Sequence, residues 1–383
     1  MNLESFLEKK TLFYDKIDYD CIEKSWNIIS KHITLPYVIH IVGTNGKGST
    51  GRFIGSFLDQ LGFDILHYSS PHILVFNERI WINGKNSTDD QLDEAHNTLQ
   101  SLLTKEMLYQ LTYFEYTTLL ALYLSSNRDY LVLEAGLGGE FDATNVVEND
   151  LSILTTIGLD HQNFLGDTIK DITLTKARSC NRAMVIADQK DKDVYGYILE
   201  LFENTKDIYK FEDFQKTINI DLYKDKLPLY LQNNLKTAIF VLKYLKLDIK
   251  EFILPKLYGR FEYIKPNIII DVGHNPLAAS AIAQQLDKTN LKYTLVFNSY
   301  KDKDYKNNIE ILKPYIKKVL IIEVKDDRIV DKNILKDIIK QNRIEVDCFN
   351  IDTLDEEEDY LIFGSFLVVE EFLKLYKGLN GEK

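Results

Sequence analysis

Two groups of residues in this sequence have the types and spacing to do chemistry. The first is Gly43-Thr44-Asn45-Gly46-Lys47-Gly48-Ser49. It follows the apolar run Val38-Ile39-His40-Ile41-Val42 and precedes Phe53, Ile54, Phe57, Leu58 and Leu61 at helical spacing. A strand, a glycine loop and a helix together make a phosphate site. Glycines let backbone N–H groups converge on an anion, and the helix N-terminus adds partial positive charge. Lys47 would bring a full charge to terminal phosphates, and Ser49 and Thr50 bring hydroxyls for phosphate or Mg²⁺. The strict P-loop pattern is broken at two places, Ile41 for its first Gly and Gly48 for its Ser/Thr. The plainer reading of the loop is a strand-to-helix turn with a solvated lysine.

The second group is Ser70, Glu134 and His161, each at or just after the expected end of an apolar strand. Mg²⁺ takes oxygen ligands and keeps waters, so one carboxylate, one hydroxyl and phosphate oxygens suit it. Glu134 is the strongest member, because an unpaired carboxylate closing an apolar strand is costly to bury. His161 and Ser70 also have plain readings, as a surface or satisfied core histidine and as a turn hydroxyl.

These residues need elements to hold them. Strands are expected at 38–42, 64–68, 130–134, 151–157 and 183–187, alternating with helices, notably 88–103 with a Thr88-to-Gln91 capping box and the apolar 112–126. Residues 1–36 read as helical, and Asn83-Gly84 as a turn. This pattern implies a doubly wound, mostly parallel sheet, whose ligands bind beyond the carboxyl ends of its strands. Residues 188–226 read as charged and irregular, and 233–247 as a helix. Strands at 267–271, 293–297, 318–324 and 360–363 form a second, smaller α/β domain. The expected division is 1–254, a linker at 255–266, and 267–383. Asp355-Glu356-Glu357-Glu358-Asp359 reads as a solvated acidic loop.

Composition sets limits. At 383 residues two domains are expected, and 45% hydrophobic with 27% charged residues is a soluble globular balance. The net charge of -12 argues against a nucleic-acid partner. Met1-Asn2-Leu3-Glu4-Ser5 lacks the basic-then-apolar pattern of a secretory signal, and no apolar run is long enough for a membrane span. Cys21, Cys180 and Cys348 form no metal motif and fit a reducing compartment. The expectation is a cytoplasmic, monomeric protein without membrane partners.

The glycine loop is similar to the ATP loop of the Mur ligase superfamily, in the form carried by its folate branch, folylpolyglutamate synthase/dihydrofolate synthase. Further motifs of that branch follow in order: Tyr68-Ser69-Ser70-Pro71-His72, Phe76-Asn77-Glu78-Arg79-Ile80, Leu111 to Tyr116, Leu133-Glu134-Ala135-Gly136-Leu137-Gly138-Gly139 through Asp142-Ala143-Thr144-Asn145, Gly158-Leu159-Asp160-His161, Gly259-Arg260-Phe261-Glu262 and Asp271-Val272-Gly273-His274-Asn275-Pro276. They span about residues 38 to 366, ending with Gly364-Ser365-Phe366.

The resemblance implies a P-loop ATPase domain and a second α/β domain that together ligate L-glutamate to a pteroate or folate carboxylate through an acyl phosphate. It implies that Gly43, Thr44, Asn45, Gly46, Lys47, Gly48 and Ser49 hold ATP. Ser70 and Glu134 would bind one Mg²⁺, with Glu134 and His161 at a second. Lys176 would carry a carbamate that supports that metal, and Asn234 would contact adenine. Arg260, Asp271 and His274 would serve the nucleotide and glutamate from the second domain, and Thr112, Phe114 and Asp142 would contact pteroate. The substrates implied are dihydropteroate or a reduced folate, L-glutamate and ATP.

The sequence departs from the family pattern at Glu140, where Arg is usual, and at Arg178, Gly273 and Leu231. Peptidoglycan Mur ligases carry a nucleotide-sugar domain before the ATP loop, for which the 42 residues before Gly43 are expected to be too few. A GTPase switch would need an Asn-Lys-X-Asp string, which is absent. A monofunctional folylpolyglutamate synthase and a non-catalytic nucleotide-binding paralogue remain as alternatives.

Overall fold

A computed structural model describes residues 2–11, 20–203, 205–247 and 251–380. Two compact units are built from Met1–Asp221 with Leu231–Pro255, and from Leu222–Tyr230 with Lys256–Lys383. Both are α/β.

The first unit carries eight strands: β1 Tyr37–Val42, β2 Ile65–Tyr68, β3 Ile80–Ile82, β4 Lys85–Asn86, β5 Tyr130–Glu134, β6 Leu151–Leu154, β7 Ala183–Ile186 and β8 Asp207–Lys210. Their order is β4-β3-β2-β5-β1-β6-β7-β8, parallel except where β3 pairs with β2 and β4. The inner strands are apolar and sealed on both faces, as a parallel sheet requires. Asn83 and Gly84 turn β3 into β4, with φ of 43° and 85°. From β1 the chain moves to β2 on one side, and from β5 it crosses to β6 on the other. The edge between β1 and β5 is therefore a topological switch point, the position where open α/β sheets bind ligands.

Helix Asp89–Leu102 starts at the expected Thr88–Gln91 box, and helix Tyr113–Leu124 at a second box of Thr112 and Glu115. The stretch 188–226, expected to be irregular, contains helix Asp193–Phe202 and strand β8. The expected N-terminal helical stretch appears as Leu3–Leu7 and Asp20–Ile29; residues 12–19 of it and 204 of the later stretch lie outside the described residues.

The second unit holds β9 Glu262–Lys265, β10 Ile268–Asp271, β11 Tyr293–Phe297, β12 Ile316–Ile321, β13 Glu345–Cys348 and β14 Tyr360–Phe363, in the order β13-β12-β11-β14-β10-β9. Only β9 runs antiparallel, against β10. The segment expected to be a linker, 255–266, therefore includes an edge strand of this sheet. Among the described residues no helix is long and apolar enough to cross a membrane.

Candidate active site

Register brings the glycine loop, Glu134 and the Ser70 loop to one rim. Ile41 of β1 lies beside Glu134 of β5, and Leu133 beside Tyr68 of β2. The glycine loop, Glu134 and the loop carrying Ser70 therefore leave three adjoining strands at the same edge. Gly46 caps helix Lys47–Gln60 with a left-handed φ of 93°, which costs a side-chain residue strain. A Cβ there would also meet Asn234 Oδ1 at 3.1 Å. The first N–H groups of an α-helix are not used up within it and can serve an anion. Lys47 Nζ donates to the carbonyls of Gly43 (3.0 Å) and Thr44 (3.3 Å), which folds the side chain back over its own loop.

The loop is strapped to the next strand end. The N–H groups of Thr44 (3.0 Å) and Asn45 (3.1 Å) both donate to Thr156 O, and the Thr44 hydroxyl donates to Gly158 O at 3.0 Å. Asn234, expected to face adenine, is buried and donates from Nδ2 to Ser49 Oγ at 2.8 Å. Its amide thus braces the loop.

Lys176, on helix Ile169–Ala177, is only 4% exposed. Burial, then the nearby charge of Lys47, lowers its pKa from 10.5 to about 7, against the opposing pull of Asp142 and Asp160. Its backbone is fixed by a close approach: a Cβ on Gly139 would stand 2.6 Å from Lys176 O. Glu140 N–H donates to Thr175 O at 2.9 Å. The two departures at Glu140 and Arg178 meet, as Arg178 Nη1 lies 3.1 Å from Glu140 Oε2.

Asp142 is buried. Oδ2 accepts from Leu137 N–H (2.7 Å), and Oδ1 accepts from the N–H (2.9 Å) and hydroxyl of Thr144. Burial raises its pKa, and these donors oppose the rise. Behind it, His40 Nε2 lies 2.8 Å from Thr144 Oγ1. Since the Thr144 hydroxyl donates to a carboxylate, it accepts from His40, which fixes the Nε2–H tautomer. Sequence reading missed this His40–Thr144–Asp142 chain.

Phe114 lies over the strand-end loop, since a Cβ on Gly136 would meet its ring at 2.6 Å, and Tyr68 lies 6.0 Å from it ring to ring. Thr112 is occupied as a helix cap: its hydroxyl donates to Glu115 Oε2 at 2.8 Å and accepts from Glu115 N–H. His161 is partly exposed, with a left-handed φ of 52°, and its Nε2 lies 3.9 Å from Asp160 Oδ1.

Among the described residues no cluster of three His, Cys, Asp or Glu side chains is arranged to hold a metal ion. Ser70 and Glu134 offer a hydroxyl and a carboxylate from neighbouring strand ends. That is a hard, partial oxygen set, which suits Mg²⁺ completed by phosphate and water.

In the second unit, buried Asp271 ends β10 and accepts from Gly273 N–H (2.7 Å), Phe261 N–H (2.8 Å) and Tyr230 OH (3.1 Å). Burial raises its pKa, while the charge of Arg260 and these bonds oppose the rise. Asp271 thereby sets the Gly259-Arg260-Phe261 turn. The Arg260 guanidinium lies 5.2 Å from the Phe366 ring centroid. His274 Nδ1 lies 3.2 Å from Val272 O, and Asn308 Nδ2 donates to His274 O at 3.1 Å.

Comparison with known proteins gives this geometry a lineage. No family model matches the chain. Over 430 aligned positions it is 32% identical to the dihydrofolate synthase/folylpolyglutamate synthase of Haemophilus influenzae, covering 96% of this chain and 95% of that one. The chain belongs to the dihydrofolate synthase/folylpolyglutamate synthase family. The crystal structure of Helicobacter pylori folylpolyglutamate synthetase is 36% identical with a TM-score of 0.77, covering 98% of both chains. E. coli FolC in complex with DHPP and ADP shares the fold, with a TM-score of 0.86 at 23% identity over 99% of each chain. Both units, including edge strands that the sequence pattern did not announce, therefore belong to the architecture of the folylpolyglutamate synthases.

Proposed function

We propose that this protein is an ATP-dependent ligase that joins L-glutamate to the carboxylate of dihydropteroate and of reduced folates, acting as dihydrofolate synthase and folylpolyglutamate synthase in one chain. The observation that carries the reading is the gathering of Lys47, Asp142 and Asp160 within electrostatic reach of buried Lys176, in a chain with full-length relatives of that name.

The substrate carboxylate attacks the γ-phosphorus of ATP in line, ADP leaves, and an acyl phosphate forms. The glutamate amine adds to its carbonyl carbon, phosphate leaves with the bonding pair, and the nitrogen loses a proton. A free carboxylate is a poor acyl donor, so phosphorylation supplies the leaving group. The chain mainly positions and neutralises charge: the helix N–H groups and Lys47 hold the β- and γ-phosphate oxygens. Ser70, Glu134 and His161 would hold Mg²⁺, which offsets charge on the transferring phosphoryl group. A neutral Lys176 amine adds CO₂ and releases a proton to become a carbamate, replacing a cation that would repel a metal with an anion that attracts it. Phe114 and Asp142 take the pterin side. Arg260 and His274 are the groups assigned to the nucleotide and the incoming glutamate. Three cysteines, none of them in a disulfide, fit a cytoplasmic setting.

The test is phosphate release from ATP by the purified protein with Mg²⁺ and glutamate, using dihydropteroate or tetrahydrofolate as acceptor. Turnover with neither overturns the reading. The folylpolyglutamate-only alternative, favoured by the name of the H. pylori relative, would show turnover with tetrahydrofolate alone.

A further inference from the structure

Arg79 is a buried cation that none of these roles uses. It immediately precedes β3, is 9% exposed, and its carbonyl accepts from Ser69 N–H at 2.9 Å. Its Nε donates to His72 Nδ1 at 2.8 Å, and its guanidinium lies 5.1 Å from the Tyr113 ring centroid. The neighbouring carboxylate does not neutralise it. Glu78 accepts instead from Ile73 (2.7 Å), Leu74 (2.9 Å) and Val75 (3.0 Å) N–H groups and so shapes the Ser70 loop. Among the described residues Arg79 has no Asp or Glu partner, and its two Nη groups make no hydrogen bond and are not sealed from solvent. A guanidinium mostly withdrawn from water and lacking an anion is costly, unless an anion arrives. Its Nη pair is the fork that grips a carboxylate with two parallel bonds.

Position narrows the anion. Arg79 is tied to Ser69, next to Ser70, and lies within the electrostatic reach of Tyr68, whose ring neighbours Phe114. The site proposed above handles two kinds of acceptor. Dihydropteroate presents one carboxylate, which reacts. A folylglutamate reacts at its γ-carboxylate and carries a second, α-carboxylate two methylenes and one Cα away. That second anion must be held close to the reacting one without competing for the phosphoryl group.

We propose that Arg79 binds the α-carboxylate of folylglutamate acceptors and thereby orients the γ-carboxylate for chain extension. This rests on the ligase reading above. Steady-state kinetics of the full chain test it with three acceptors, tetrahydrofolate, its α-carboxamide and dihydropteroate, and with Arg79→Gln beside the wild type. The wild type should prefer the acid in kcat/KM by roughly 10- to 100-fold, the size expected of a charge-assisted hydrogen-bonded pair. Arg79→Gln should collapse that preference toward unity, chiefly through KM of the acid. Equal loss on tetrahydrofolate and its α-carboxamide, with the preference intact, would assign Arg79 to holding the Ser70 loop and overturn the proposal. A wild type without acid preference overturns it too, as does one that uses dihydropteroate but not tetrahydrofolate. Turnover with none of the three acceptors is instead the failure of the ligase reading, visible before any variant is made.

Discussion

Replacing Lys176 with Met should stabilise the first unit while removing turnover. In the folded protein the amine has a pKa of about 7, against 10.5 for an ordinary lysine. Unfolded chain therefore holds a proton that the folded chain does not between pH 7 and pH 10.5. The folded pKa of this base is depressed, so stability falls as pH drops through that window and levels off below its lower end. Each pH unit is about 1.4 kcal/mol, so the full window amounts to about 5 kcal/mol. Met keeps the length and apolar stem without the charge. Lys176→Met should thus exceed the wild type by several kcal/mol near neutral pH, and the gap should shrink by about 1.4 kcal/mol per pH unit on the way to pH ~9.5. Both tryptophans, Trp26 and Trp81, lie in the first unit, so urea unfolding followed by tryptophan fluorescence reports that unit alone. CO₂-free buffer keeps the wild-type amine unmodified. A gap that does not change with pH, or that widens as pH rises, would refute the burial argument; an active Lys176→Met enzyme would remove the carbamate from the mechanism.

Burial also holds His40 at a pKa of about 4 instead of 6.5. Its contribution is present above the upper value and disappears as pH falls toward the lower one, a loss of roughly 3 kcal/mol. His40→Gln should therefore take up about one proton fewer on acid unfolding, and an unchanged acid-unfolding slope by tryptophan fluorescence would contradict this. Gly139→Ala should push the Lys176 backbone away, costing about 1–3 kcal/mol in urea unfolding and most of the turnover; a fully active variant would show that this approach does not matter. The Glu140–Arg178 pair is partly solvent-exposed, so a double-mutant cycle with Glu140→Arg and Arg178→Glu should give a coupling below about 1 kcal/mol. If the single reversals cost far more than the double exchange restores, the pair acts on Lys176 and not merely on itself.

Local chemistry made much of this protein readable in one dimension. The runs that became β1, β5, β6, β7, β10, β11 and β14 are apolar because parallel strands are covered on both faces. The capping box at Thr88 announces a helix start because the first helical N–H groups need acceptors, whereas the box at Thr112 went unread. The glycine loop was visible for the same reason, since its glycines answer to backbone geometry within a few residues. Strands β8, β9 and β13 escaped because they lie at sheet edges, half covered and rich in charge, with no sustained apolar pattern.

Only the folded chain decided which distant groups share a neighbourhood. Nothing local in His40 says that Thr144 and Asp142 will stand against it, and Glu140 and Arg178 look like two unrelated oddities until a loop and a helix end bring them together. The reactivity of Lys176 is likewise no property of its own segment. Its position on the helix was legible, but a pKa near 7 arises from lost water and from the charge of Lys47, more than a hundred residues away. Desolvation and Coulomb fields act through space, so sequence supplies the groups, and strand register and order set the energies at which they work.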